Sequence, residues 1–271
     1  MPDFSQQYLT EVTTRVDALA AEAAAGGLDS AIDLLTDGIR RGGVIQAFGT
    51  GHSGAFAMEL AGRAGGLIPA NRIRLVDLAL YGNLTANEVD SPLLERDPTV
   101  VDQLLGLYPI NPADVFIIAS NSGVNASIVG LALAAKANGH PVIAVTSMAH
   151  TMAVTPKHAS GKRLSEVANI VIDNRAPYGD TTIELGSAAK VGAVSSITAA
   201  FIAQLLTIGI ADRLASDGAI PPVYISANIP EGDAHNHALE ARFGNRIKRG
   251  APTAPDPNER LEVNEQGIQE H

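Results

Sequence analysis

The chain of 271 residues contains no cysteine. That absence excludes disulfides, thiolate nucleophiles, thiolate zinc sites and iron–sulfur clusters. Basic residues are also scarce: 19 Lys and Arg stand against 29 Asp and Glu, a formal charge of −10. So acidic a molecule repels nucleic acid and anionic membranes, and neither is expected as a partner. Charged residues of both signs make up only 18%, against 46% hydrophobic, which reads as a globular chain with a core rather than a disordered one. The opening MPDFSQQYLTEV has no basic stretch followed by an apolar one. No signal peptide is therefore expected, and the cytoplasm is the expected compartment. One uncharged run, Val191 to Ala211, is long enough to cross a bilayer and apolar enough to raise the question. It carries Gly192, Ser195, Ser196, Gln204 and Gly209, and no basic cluster flanks it, so a buried helix is expected instead.

Apolar residues Tyr8, Leu9, Val12, Val16 and Leu19 recur at offsets of three and four, which predicts a helix over 5–25, ended by Gly26-Gly27. A second helix is expected over 30–41, capped by Asp29 or Ser30. Continuous apolar runs predict strands at Val44–Phe48, Ile73–Leu78, Asp114–Ala119, Pro141–Thr146 and Ile170–Asp173. Helices are expected over 54–64, 99–107, 125–138 and 186–214. Residues 80–98 read as a long irregular loop, of the kind that is often functional. The alternation predicts an α/β fold, a three-layer αβα sandwich around a five-stranded parallel sheet. A single domain is expected over 1–248, with a Pro-rich, polar, disordered tail over 249–271. The face of the N-terminal helix at Leu9, Val12, Val16 and Leu19 lies outside the predicted sheet core and is expected to pair two copies.

Two strand-to-helix turns carry chemistry. The first is Gly49-Thr50-Gly51-His52-Ser53-Gly54 and the second Ser120-Asn121-Ser122-Gly123-Val124-Asn125-Ala126-Ser127. Ligands of such sheets bind beyond the C-terminal strand ends, and backbone N–H groups at a helix start attract anions. The first turn spells G-x-G-x-x-G, and Asp77 stands near where a dinucleotide site places its ribose-binding acid. Dinucleotide binding is thus one reading; a plain tight turn is another. The second turn favours a third reading. A helix cap needs one Ser, not three with Asn between them, and two Ser-bearing turns side by side suit one small anionic group.

GTGHSG with SNSGVNAS resembles the sugar isomerase (SIS) domain family, and the resemblance spans about residues 30–215. It is nearest a branch of that family labelled as phosphoheptose isomerases, through Ser160–Lys162, VIDN with PYGD at 177–180, and PPVYISANIPEGDAHN at 221–236. The resemblance implies a phosphosugar ligand and no redox cofactor, held by Ser120, Ser122 and the amides of Gly123 and Val124, with Thr50 and Ser53 from the first turn. Asn125 stands where the family usually has Thr or Ser, so a different oxyanion such as a sulfonate is an alternative. His52 lies inside the anion loop, where its charge would assist. Aldose–ketose isomerisation through an enediolate needs a base beside the sugar carbonyl and a second group to move the hydroxyl proton. Glu95 and His235 are the first choices, with Glu59 and Glu184 in reserve, and Glu88 a solvated alternative. Tyr81 and Asn83 are candidates for sugar hydroxyls, and Lys162 and Arg163 for a lid. His235-x-His237 offers two imidazoles but no third ligand at motif spacing, so no metal is expected. The expected partner is a sugar phosphate or related anionic sugar, bound by a homodimer or homotetramer. The alternative class is a non-catalytic phosphosugar-binding or sensing module.

Overall fold

The computed structural model describes residues 3–91, 93–186 and 189–248; the expected disordered tail over 249–271 lies outside them. In chain order the elements are α1 (Phe4–Ala24), α2 (Asp29–Arg40), β1 (Ile45–Gly49), α3 (Gly54–Leu60), β2 (Ala70–Ile73), the single turns α4 (Asp77–Leu80) and α5 (Ala86–Val89), and α6 (Val100–Gly106). There follow β3 (Val115–Ala119), α7 (Ala126–Ala137), β4 (Val142–Thr146), α8 (Met148–Ala153), α9 (Leu164–Val167) and β5 (Ile170–Asp173). A hairpin of β6 (Thr181–Leu185) and β7 (Ala189–Ala193) leads into α10 (Ser195–Ser216), then α11 (Gly232–Glu240).

β3 and β4 are buried at every position, as strands covered on both faces must be. The five-stranded sheet is parallel throughout, in the order β2-β1-β3-β4-β5. One face carries Ile45, Ala47, Ile117 and Ile143 and packs on α2, α3 and α10 through Leu35, Phe56, Ile202 and Leu206. The other carries Phe48, Phe116 and Ile118 and packs on α6 and α7 through Leu104, Ile128 and Leu131. Chain direction across the sheet reverses at β1 and β3, the place where doubly wound sheets open a ligand crevice. Gly49 lies in register with Ala119, so the two Ser-bearing turns leave the sheet side by side.

Three expectations are corrected. The second strand is Ala70–Ile73, not Ile73–Leu78. It is an edge strand with polar Asn71 and Arg72, and the more apolar run that follows is instead coiled into α4, with Leu78 buried. The long helix does not begin at 186: Gly186 and Gly192 take positive φ in the hairpin, and the helix starts at Ser195. The helix itself is buried on one side, through Ala199, Ile202, Leu206 and Ile210. Finally, α1 is not wholly outside the core. Leu19 is 1% exposed within the α2–α10 cluster, and Tyr8 Oη donates to Ala193 O at 2.6 Å. Leu9 does remain exposed.

Candidate anion-binding cleft

β1 ends at Gly49, where any side chain would strike the carbonyl of Ser53, with the ideal Cβ 2.5 Å from that oxygen. The chain therefore turns tightly, and Gly51–Ser53 form a 3₁₀ turn that runs into α3. After β3, Gly123 takes φ +63°, and its missing Cβ would lie 2.9 Å from Thr151 Oγ1. Ser120 Oγ accepts the Gly123 N–H at 3.1 Å, so this hydroxyl fixes the loop. Ser122 Oγ, Ser53 Oγ and Thr50 Oγ1 make no hydrogen bond among the described residues and are available as donors.

The two turns face each other across a narrow cleft lined by His52, Ser53, Ser120, Asn121, Asn174, Ser195 and Ser196. Asn174, buried after β5, donates its Nδ2 to Asn121 Oδ1 at 3.2 Å and accepts Ala176 N–H at 3.0 Å through its own Oδ1. That orients Asn121 with its own NH₂ left to donate. Ser195 and Ser196 open α10. Asp180, at φ +68°, accepts Ser195 N–H at 2.8 Å and Ser195 Oγ–H at 2.6 Å, capping the helix start at the cleft wall. The helix starts after β1 and β3 thus meet here, each bringing N–H groups and positive dipole, while the start of α10 is already met by Asp180. The floor is apolar, with Phe56, Ala119, Val145 and Ala199, and the polar groups at the cleft are hydroxyls, amides and one imidazole with no carboxylate, a donor set that suits an oxyanion. A second, wider opening of about 860 Å³ lies on the β2 side of the first turn, lined by Thr50, His52, Met58, Arg72, Arg74 and Ser196. His52 and Ser196 belong to both.

Of the four acid–base candidates, the fold brings one to the loops. Glu95 sits in the 3₁₀ turn Leu94–Arg96. Its Oε1 accepts Asn125 Nδ2–H at 2.9 Å, and its carbonyl accepts Ser127 Oγ–H at 2.7 Å. Asn125 is thereby turned toward Glu95, while its Oδ1 is buried without a partner. The other three are elsewhere. Glu59 is paired with Arg63 and accepts Gln204 Nε2–H at 2.9 Å on the outside of α3. Glu184 lies on the exposed hairpin 2.7 Å from Lys190, which holds its carboxyl below the ordinary range. His235 lies on α11 with Nε2 3.1 Å from Val223 O, beyond the edge of β2. Glu88 caps its own turn with Thr85. Among the described residues no cluster of His, Asp and Glu could hold a metal; the His235 and His237 imidazoles, two apart on a helix, point different ways.

The remaining candidates are also placed. Asn83 is exposed, and Tyr81 lines a separate cavity outside β2. Arg163 braces α8 by donating to Thr151 O at 2.9 Å and Val154 O at 3.0 Å, while Lys162 is exposed. The dinucleotide reading loses its acid. Asp77 is fully buried and accepts Arg74 N–H at 2.9 Å, Arg74 Nε–H at 2.8 Å and the Tyr108 hydroxyl, so no lone pair is left for a ribose. The cleft residues not foreseen from sequence are Asn121, Asn174, Ser195 and Ser196. PYGD, where Asp180 ends the segment before the hairpin, is the signal that pointed near them.

A family profile described as SIS domain matches residues 7–147. The UPF0309 protein of Listeria monocytogenes is 36% identical over 238 residues, covering 88% of this chain and 94% of that protein. The UPF0309 protein of Brucella canis is 35% identical over 248 residues, covering 91% and 98%. Among solved structures, a phosphoheptose isomerase from Francisella tularensis shares the fold, with TM-score 0.50, 17% identity, and coverage of 77% of this chain and 96% of that one. The sequence match, the sheet order and the paired loops agree: the chain belongs to the SIS domain family, within its UPF0309 group.

Proposed function

We propose that the chain binds a phosphorylated sugar, its phosphoryl group held between the turns after β1 and β3, and interconverts the aldose and ketose forms. The observation that carries the binding is the carboxylate-free cleft between the two turns, where Ser53, Ser120, Asn121 and Ser196 come together. The sugar extends from there into the wider opening beside Thr50 and Met58. In the isomerisation a base takes the C2 proton of the aldose, the enediolate forms, and the proton returns at C1 while the hydroxyl proton moves between the oxygens. Glu95 is the base in this reading. It is the carboxylate joined to the SNSGVN loop, and it is released to the sugar when Asn125 turns to the ligand. His52, at the mouth of both openings, moves the hydroxyl proton. The working molecule is a cytoplasmic homodimer or homotetramer, supported by the apolar residues Leu9 of α1 and Ile197 and Ile208 of α10 that stay exposed on neighbouring helices.

Proton exchange is the test. Incubated in D₂O with hexose and heptose phosphates, the protein should wash deuterium into C2 of its substrate, seen by proton NMR. Glu95→Gln should slow exchange roughly 10²–10⁴-fold while binding changes little. One observation favours a second reading: no carboxylate lines either opening among the described residues. A non-catalytic binding module would bind the same sugar phosphates and wash in no deuterium.

A further inference from the structure

We infer that the cavity outside the edge strand β2 is a second oxyanion site, one that takes a phosphoryl group and does not depend on the Ser-bearing cleft. Arg72 and Arg74, two residues apart, project to the same side of an edge that has no sixth strand beside it. The cavity they line is about 110 Å³, open on one side, and is flanked by Tyr81, Tyr108, Tyr224 and Lys248. Among the described residues three cations, Arg72, Arg74 and Lys248, line it and no carboxylate does; Glu240 accepts the Tyr224 hydroxyl at 2.9 Å, and the carboxylate beside the arginines is Asp77. That carboxylate is spent on Arg74 and Tyr108. Lys248 Nζ lies 4.4 Å from the Tyr81 ring centroid and 4.7 Å from that of Tyr108, and it donates to Leu107 O. Lys248 covers these two rings, so a stacked aromatic ligand does not fit; an oxyanion does.

Arg72 is the decisive group. Its guanidinium has five donors and makes no hydrogen bond or ion pair among the described residues. Partial burial holds its pKa below the ordinary arginine value. This half-buried cation feels Asp77 but makes no contact with it, since that carboxylate is engaged by Arg74 and Tyr108, and the fork geometry suits a phosphoryl group. The wall opposite is fixed by the fold. Asn71, fully buried, donates to Arg246 O at 2.8 Å and accepts Lys248 N–H at 2.7 Å, while Arg246 is paired with buried Asp114. The segment that carries Lys248 is thus locked to the sheet. The phosphoryl group comes either from a separate small molecule or from the far end of a doubly phosphorylated sugar, since Arg72 and Arg74 also line the opening beside Thr50.

The experiment is an NMR titration of the isotope-labelled full chain with inorganic phosphate, reading the two sites separately. The Arg74 Nε–H and Ile73 amide report the edge cavity, and the Gly51 and Gly123 amides report the cleft. Both sets should shift with saturation. Arg72→Gln should weaken the edge response at least tenfold and leave the cleft response unchanged; Ser122→Ala should do the reverse, and Arg72→Lys should keep part of the edge affinity. Silence of Arg74 and Ile73 in the parent, or an equal response in Arg72→Gln, overturns the inference. Silent glycines with a responsive Arg74 would instead sink the cleft reading alone. A second titration with fructose 1,6-bisphosphate separates the sources: shifts in both sets at one common affinity, tighter than for phosphate and lost with either variant, assign both ends to one ligand. Independent responses assign a separate molecule.

Discussion

Removing Asp77 tests whether its carboxylate is a buried structural partner. The side chain is 0% exposed and accepts the Arg74 backbone N–H, the Arg74 guanidinium and the Tyr108 hydroxyl. Burial and the facing carboxylate both push the Tyr108 phenol well above its ordinary range, so it stays a neutral donor. Asp77→Ala leaves that hydroxyl with only the weaker contact to Arg72 O, at 3.3 Å. Breaking a buried ion pair from one side costs about 3–5 kcal/mol. The Arg74 side chain is 26% exposed and recovers some hydration, which points to the low end, about 3 kcal/mol. For a chain of this size that is roughly 6–12 °C of melting temperature. Asp77→Asn keeps the shape and an acceptor, and should lose about 1–2 kcal/mol. Thermal unfolding followed by circular dichroism reads both variants. Asp77→Ala within about 0.5 kcal/mol of the parent, the range of ordinary surface changes, would refute the reasoning, as would Asn proving worse than Ala.

Asp180→Ala removes the cap of α10 and should cost about 1–2 kcal/mol in chemical denaturation, together with a weaker phosphate response at Gly123, because the helix start forms a wall of the cleft. Glu88, whose carboxyl Thr85 holds below the ordinary range, supports α5 above that range, and the support is lost as pH falls through the depressed folded value. Protection of the Glu88 and Val89 amides should therefore drop in acid, and a flat profile would contradict the capping box. Ile208→Asp on α10 should shift sedimentation toward the monomer. A parent that is monomeric at all concentrations would remove the assembly proposal.

What could be read from sequence followed the strength of local signals. β1, broken only by Gln46, and β3 are apolar runs that stop at Gly and Ser, so the strands, their turns and the helices after them were all legible. β2 was not, because an edge strand needs less apolar character: Asn71 is buried by a polar network with Gln46 and Arg246, and Arg72 serves a cavity. The hairpin was lost because its Ala and Val residues merge with those of α10, and only the positive-φ glycines mark the break. Cleft residues Asn174 and Ser195 lie far along the chain from both turns, and only the folded sheet brings them there. Glu95 could be suspected from its loop; that it would reach Asn125, and that Glu59 would be taken by Arg63 and Gln204, depends on packing.

The most direct test is a crystal structure with a bound sugar phosphate. The phosphoryl oxygens should lie within hydrogen-bond distance of Ser53 Oγ, Ser122 Oγ, Asn121 Nδ2 and the Val124 amide, with the sugar directed toward Thr50. A phosphoryl group found away from both turns, with those donors still facing solvent, would contradict the account.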